Sequence, residues 1–304
     1  MELPPGYGRK TATNTVCKLK KTLYGLKQSP RAWFGRFTKV MMDMGFKQSQ
    51  GDHTLFVKQS QSKGVTMLLV YVDDIIVTGD DEEEQQLLGQ HLAKNFEIKT
   101  LGKLKYFLGI EVAHSKKGIF ISQQKYIIDL LKETSKTACK PASTLIDPNL
   151  KLGNAEEDTA VDKEMYQRLV GRLIYLSHTR SNVAFAEIHL QAALRIVQYL
   201  KGTPGRGILF ERDGNANLEA YIDADYARSI VDRRSTTRYC TFLGGNLVTW
   251  WSKKQNVVAR SSAEVEFRAM TQGICELLWL KIILEDLRIK SDDPMRLYCD
   301  NFCY

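Results

Sequence analysis

Two adjacent aspartates, Asp73 and Asp74, interrupt an otherwise almost wholly apolar run from Val65 to Val77, and no other feature limits the fold as tightly. A stretch this rich in Val, Leu, Ile and Tyr favours an extended, half-buried strand. An unpaired buried carboxylate costs roughly several kcal/mol, so both acids must turn toward water or toward a cation. The sequence therefore predicts two strand arms folded into a hairpin with the acids at its tip. There the pair could hold Mg²⁺, an oxygen-seeking ion usually shared with substrate phosphates. A solvated acidic turn is the competing account and, on spacing alone, the simpler one, because hairpin turns commonly take Asp. The run is too short and too charged to cross a bilayer. No signal peptide is expected either, since Met1-Glu2-Leu3-Pro4-Pro5 is neither basic nor apolar.

Helical and extended periodicities surround this hairpin. Ser29-Pro30 predicts a helix start, with Ser as cap and Pro in the first turn. Trp33, Phe34, Phe37, Val40, Met41 and Met44 follow at spacings of three and four, one apolar face that reads as core. Residues 54–60 and 65–78 read as strands. Gly79 and Asp80-Asp81 stop the second and cap a helix to about Phe96, with Leu87, Leu88, His91 and Leu92 on its inner side. Residues 104–122 read as a strand pair around Gly118, residues 124–205 as mostly helical, and residues 205–216 as a linker or domain boundary. Beyond it the order is strand, strand, strand, helix, strand: Leu218 to Tyr226, Tyr239 to Leu243, Leu247 to Trp251, a helix capped by Ser261-Ser262, and Met295 to Cys299. Gly244-Gly245-Asn246 marks the hairpin turn, and Met270, Ile274, Leu277, Leu278 and Trp279 recur at helical spacing.

Charge and cysteine use narrow the function class. The chain carries a net charge of +8, and residues 1–60 hold eleven Lys or Arg against three acids, which accounts for the whole excess. Interleaved with Tyr7, Tyr24, Trp33 and Phe34, that segment suits a polyanionic partner, or simply a solvated basic surface over core aromatics. The six cysteines form no CxxC pair and the five histidines are scattered, which argues against structural zinc and for reduced thiols in an intracellular protein. With 43% hydrophobic residues, the chain can bury real cores.

Tyr71-Val72-Asp73-Asp74 resembles the YxDD box of reverse transcriptases, and its surroundings make the match specific. "LYGLKQSPRAW" (Leu23 to Trp33), "LLVYVDDIIVTGDD" and "LGKLKYFLGIEV" follow one another as in copia-type retrotransposon Pol polyproteins. "MYQRLVGRLIYLSHTR", "YLKGTPGRGILF", "DADYA", "DRRST", "WWSKKQ", "VARSSAEVEFRAM" and "LYCDN" belong to the same pattern, so the resemblance covers essentially the whole chain. It implies an α+β reverse-transcriptase palm and thumb remnant followed by an α/β ribonuclease H-like domain with a mixed sheet, elements in the order βββαβ, incomplete. The implied divisions are fingers and palm at residues 1–115, a thumb or connection at 116–215, and ribonuclease H at 216–304.

The resemblance also implies chemistry. Asp73 and Asp74 would serve nucleotidyl transfer, beside Tyr71, with Tyr24, Gly25, Lys27, Gln28, Ser29 and Arg31 near nucleotide and template, and Lys20 and Lys21 also handling template. Asp223, Glu266 and Asp300 would be the hybrid-cleaving carboxylates, and two Mg²⁺ per site (or Mn²⁺) the cofactors. Glu264 competes with Glu266, but the two lie about 200° apart around a helix, so only one can face inward. Glu266 is preferred on the "EFRAM" pattern, and Asp225 reads as a surface or capping residue. The implied partners are RNA template, DNA primer, RNA–DNA hybrid and dNTPs, with no membrane. The implied location is the cytoplasm, in virus-like particles, with the nucleus also open.

Several departures from the family pattern temper this. "MELPPGYG" opens just past the place of the first polymerase aspartate, and "LYCDNFCY" stops soon after Asp300. Arg228 and Arg238 stand where glycine is usual, and Arg is strained there if positive φ is required. The expectation is a chain with neither activity, the alternative reading being a non-catalytic nucleic-acid-binding remnant.

Overall fold

The aromatic stripe of the first helix finds its partners on a four-stranded sheet. In the computed structural model, which describes residues 18, 25–60, 64–145, 163–184, 190–212, 215–227, 229, 232–290 and 293–299, the chain divides into two units, residues 1–99 and 100–304. In the first, α1 (Ser29–Asp43) precedes the antiparallel meander β1 (Lys47–Gln48), β2 (Leu55–Gln59), β3 (Val65–Tyr71) and β4 (Asp74–Gly79), and α2 (Glu82–Asn95) follows it. Phe37 and Met41 of α1, Phe56, Leu68 and Val70 of the sheet, and Leu88 and Leu92 of α2 close one core, with Trp33, Phe34, Val40 and Met44 packed against it. All six stripe residues therefore face inward.

Two details differ from the sequence expectations. Ser29 is not the cap of α1: Gln28 holds that place in helical conformation and makes no side-chain cap bond. Pro30 in the first turn still fits, since its missing N–H has no helical partner to lose. On α2 only Leu88 and Leu92 are buried, whereas Leu87 and His91 are exposed. Asp81 does cap α2, its carboxylate accepting from the Glu84 N–H at 2.9 Å.

The second unit opens with β5 (Tyr106–Phe107), β6 (Ile110–His114) and β7 (Gly118–Ser122), then α3 (Gln124–Glu133), α4 (Lys163–Leu176), α5 (Ser181–Ala184) and α6 (Leu190–Gly202). Ile127 and Leu130 of α3, Leu169, Leu173 and Leu176 of α4, and Ala193, Ile196, Val197 and Leu200 of α6 form its helical core. The α3 N-terminus lacks a cap of its own. Glu111 on β6 supplies the acceptor instead, taking the N–H groups of Gln124 and Lys125 at 2.8 and 3.3 Å. Part of the stretch read as a linker is a strand, β8 (Gly207–Glu211), which pairs antiparallel with β7 and completes the sheet β5-β6-β7-β8. The pairing is close: a Cβ at Gly118 would lie 1.9 Å from the Phe210 carbonyl oxygen, and one at Gly207 2.0 Å from that of Ile121.

The last sheet contains β9 (Leu218–Asp225), β10 (Thr236–Leu243), β11 (Asn246–Lys254) and, after α7 (Ser262–Asp286), β12 (Arg296–Cys299). Its spatial order is β11-β10-β9-β12, with β12 parallel to β9 and the other pairs antiparallel. The β10–β11 turn uses Gly244 and Gly245 at φ 54° and 79°, left-handed backbone that glycine adopts without Cβ strain. Helix α7 packs on one face through Val265, Ala269, Gly273 and Leu277. Gly273 lets it approach so closely that a Cβ there would stand 2.8 Å from Ile222 Cγ2. Of the apolar α7 residues that recur at helical spacing, Leu277 is buried, but Ile274, Leu278 and Trp279 are exposed. On the opposite face Tyr221 and Tyr298, register partners on β9 and β12, stack at 4.7 Å between ring centroids.

Candidate functional site

In the first unit the acidic tip is a two-residue turn. Tyr71 and Asp74 are the last register pair of β3 and β4, and Val72-Asp73 closes the hairpin between them. Side chains alternate along a strand, and Val70 and Ile75 pack into the core. Tyr71 and Asp74 therefore lie on the sheet face turned away from the core formed with α1 and α2. Tyr71, Asp73 and Asp74 are all exposed, so the hairpin brings these three together at one solvent-facing edge. Val72 holds φ 51°, a left-handed conformation that a β-branched side chain rarely tolerates. Gly25 (φ 87°), Lys27, Gln28, Ser29 and Arg31 gather where the chain enters α1; Lys27, Gln28 and Arg31 are exposed and Ser29 half-buried. Tyr24, Lys20 and Lys21 fall outside the described residues.

Two adjacent exposed carboxylates fit the chemistry of an oxygen-liganded Mg²⁺ that draws its remaining ligands from water and phosphate. Among the described residues no group of three or more His, Cys, Asp or Glu comes together to hold a metal.

The second unit arranges its acids differently. Asp223 and Asp225, two residues apart on β9, share the sheet face opposite α7. Arg238 on β10 is the register partner of Asp223. Its guanidinium spans both carboxylates, with Nη1 to Asp223 Oδ2 at 3.1 Å and Nη2 to Asp225 Oδ2 at 2.6 Å. Burial works against the charge on Arg238, but the paired carboxylates of Asp225 and Asp223 outweigh it and raise its pKa. Arg238 has no positive φ, so the strain feared for arginine at this position is absent. Asp225 is thus an ion-pair partner of Arg238.

Glu266 is buried in the first turns of α7, and the Cys299 thiol at the end of β12 lies 3.5 Å from its Oε2. Glu264 turns outward: it accepts from the Arg260 N–H at 2.8 Å and pairs with Arg268 at 2.9 Å. Asp300 and Arg228 lie outside the described residues. Arg238 thus occupies one oxygen of each strand aspartate. Sequence reading missed this clamp. Its signal was two acids at i and i+2 on one strand face, which call for a cation on the neighbouring strand.

Residues 1–148 match the family described as reverse transcriptase (RNA-dependent DNA polymerase). The chain is 40% identical over 313 residues to the retrovirus-related Pol polyprotein from transposon RE1 of Arabidopsis thaliana, covering 99% of this chain and 21% of that protein. It is 33% identical over 322 residues to the corresponding polyprotein from transposon TNT 1-94 of Nicotiana tabacum, covering 99% and 24%. An uncharacterized mitochondrial protein of Arabidopsis thaliana is 37% identical over 226 residues, 70% of this chain and 93% of that protein. Residues 1–148 thus form a reverse-transcriptase domain. The chain belongs to the copia-type, retrovirus-related Pol polyproteins of transposons. It spans about a fifth of the length of the transposon polyproteins it matches. Among the described residues no helix is long and apolar enough to cross a membrane.

Proposed function

We propose that this chain is the polymerase–nuclease portion of such a polyprotein, built to bind an RNA template, a DNA primer, their hybrid and dNTPs, and to work in the cytoplasm or in particles there. The observation that carries the reading is the pair of exposed carboxylates, Asp73 and Asp74, on the β3–β4 tip beside Tyr71. In nucleotidyl transfer the primer 3′-oxygen attacks the α-phosphorus of a dNTP while the bond to pyrophosphate breaks. Asp73 and Asp74 would hold Mg²⁺ or Mn²⁺, whose charge would favour the 3′-alkoxide and offset the charge on the leaving phosphates. Lys27 and Arg31, exposed at the start of α1, are suited to template or nucleotide phosphates.

Within the second unit, the last sheet and α7 have the element order βββαβ, with parallel β9 and β12 and a buried glutamate near the start of the intervening helix. That arrangement supports a ribonuclease H-like reading in which Asp223, Glu266 and Asp300 descend from a hybrid-cleaving cluster. The isolated chain is proposed to bind nucleic acid without turnover, the Arg238 guanidinium already pairing with Asp223 and Asp225 where hybrid cleavage would need open carboxylates.

Primer extension and hybrid cleavage in Mg²⁺ or Mn²⁺ test this. The expected result is salt-dependent binding of RNA–DNA hybrid with no product. Turnover abolished by Asp73→Asn or Asp223→Asn would overturn the silent reading, and absence of any nucleic-acid binding would overturn the reading as a whole.

A further inference from the structure

We propose that Arg238 is a built-in counter-ion that closes the Asp223–Asp225 pair to divalent cations, so that this sheet carries its own cation in place of a metal. The proposal rests on the reading of Asp223 as a metal-type carboxylate and adds the reason it is shut.

The geometry leaves little room for competition. Residues i and i+2 of a strand stand roughly 6.6 Å apart, a gap that one guanidinium, with its paired nitrogens, bridges when it rises from the adjacent strand. Arg238 does so from the position directly opposite Asp223, reaching Oδ2 of each aspartate. The side chain is only 22% exposed, against 49% for Asp223 and 26% for Asp225, so the cation sits deeper than the acids it holds. A Mg²⁺ ion must approach a carboxylate oxygen to about 2.1 Å. Using Asp223 or Asp225 on this side, it would sit within a few ångströms of a positive charge that cannot be lost by deprotonation. The metal would have to expel the guanidinium, leaving Arg238 half-buried and unpaired between β9 and β10. Lysine could retract along a flexible stem, but arginine held by two carboxylates and by its strand register cannot do so without breaking both ion pairs.

The test is Mn²⁺ binding, read from the electron-spin-resonance signal of free Mn²⁺. It uses the full chain carrying Asp73→Asn and Asp74→Asn, so that the first acidic site is silent. The expected result is no site tighter than millimolar until Arg238→Gln is added. That change should then create a site at least tenfold tighter, lost again with Asp223→Asn. A submillimolar site already present with Arg238 intact, and removed by Asp223→Asn, would overturn the counter-ion role while leaving the carboxylate reading standing. If Arg238→Gln folds, as judged by circular dichroism, yet gains no site, the carboxylate reading itself fails and the proposal falls with it. Should that variant not fold, the chain with Arg238 intact decides the question by nuclear magnetic resonance. Its Arg238 Nε–H resonance should stay sharp at equimolar Mn²⁺, and selective broadening would overturn the proposal.

Discussion

Trp250 on β11 donates its indole N–H to the main-chain carbonyl of Ser177, just past the end of α4, at 2.8 Å. One hydrogen bond thus ties the last sheet to the helical layer of the same unit, on the face that Trp250 shares with its register partner Cys240. Trp250→Phe keeps most of the ring and deletes the donor, leaving the Ser177 carbonyl without this partner. The expected cost is about 1–3 kcal/mol, read as a lower urea midpoint by circular dichroism. An unchanged midpoint would show that water replaces the indole without loss.

Gly118 and Gly207 give a contrast within one unit. Either changed to Ala forces a methyl to about 2 Å from a carbonyl oxygen on the opposite strand, so β7 and β8 must separate. We expect a loss of more than roughly 2 kcal/mol for each. Gly171, inside α4 with open space where its Cβ would go, should behave oppositely. Gly171→Ala is expected to stabilise by up to about 1 kcal/mol. Thermal unfolding of the three variants side by side checks the ordering.

Val72→Gly should relieve the left-handed backbone at the hairpin tip. The conformational cost for a β-branched residue at φ 51° is on the order of 1–2 kcal/mol, partly offset by the greater freedom of glycine in the unfolded chain. Amide exchange at Val70 and Ile75, the register pair beneath the turn, is the readout. Slower exchange is expected, and faster exchange would show that the valine side chain contributes more than its backbone costs.

Periodicity and turn chemistry made the local elements legible before the structure. The stripe from Trp33 to Met44 packs as its spacing requires, the aspartate-bearing hairpin turns where its acids demand, and Asp81 and Ser261 cap the helices they precede. What escaped depends on partners distant in sequence. Residues 207–211 follow a Pro-Gly turn and look like a connection until β7 is known to lie beside them. On α7 hydropathy points to the wrong side: its inner face runs through Ala269 and Gly273, small residues that permit close packing on Ile222, while the bulkier Ile274 and Leu278 are exposed. The Arg238 clamp was missed for the same reason, since the acids Asp223 and Asp225 call for a cation but do not say which residue of a neighbouring strand supplies it. An arginine in a strand reads as polar surface unless the register places an aspartate across from it, as it does Asp223, with a second two residues along.

Acid should loosen two helix starts together. The Glu84 N–H, and then the Ser60 hydroxyl, hold the Asp81 carboxyl below its ordinary value of 3.8. The Arg260 N–H, and then the Arg268 side chain, hold Glu264 below 4.5. Because both folded values are depressed, each carboxylate contributes its full stabilisation above the ordinary value. The contribution fades as pH falls from there through the lowered one. Amide protection at Glu84 and Arg260 should therefore drop below about pH 4. Asp81→Asn should leave Glu84 protection flat across that range, and a persistent drop in that variant would assign the effect to another group.

The pairing of β7 with β8 also sets a schedule for synthesis. Ser122 and Gly207 are register partners, so β7 leaves the ribosome with a bare edge until roughly 85 further residues have been made. At about 5–20 residues per second that wait lasts on the order of 5–20 s. During it, the Phe120 and Ile121 backbone has no β8 to pair with and is open to any passing strand. A nascent chain of this design is most exposed to misassembly while α4 and α6 are still being translated, and slowing the ribosome there should lower its yield.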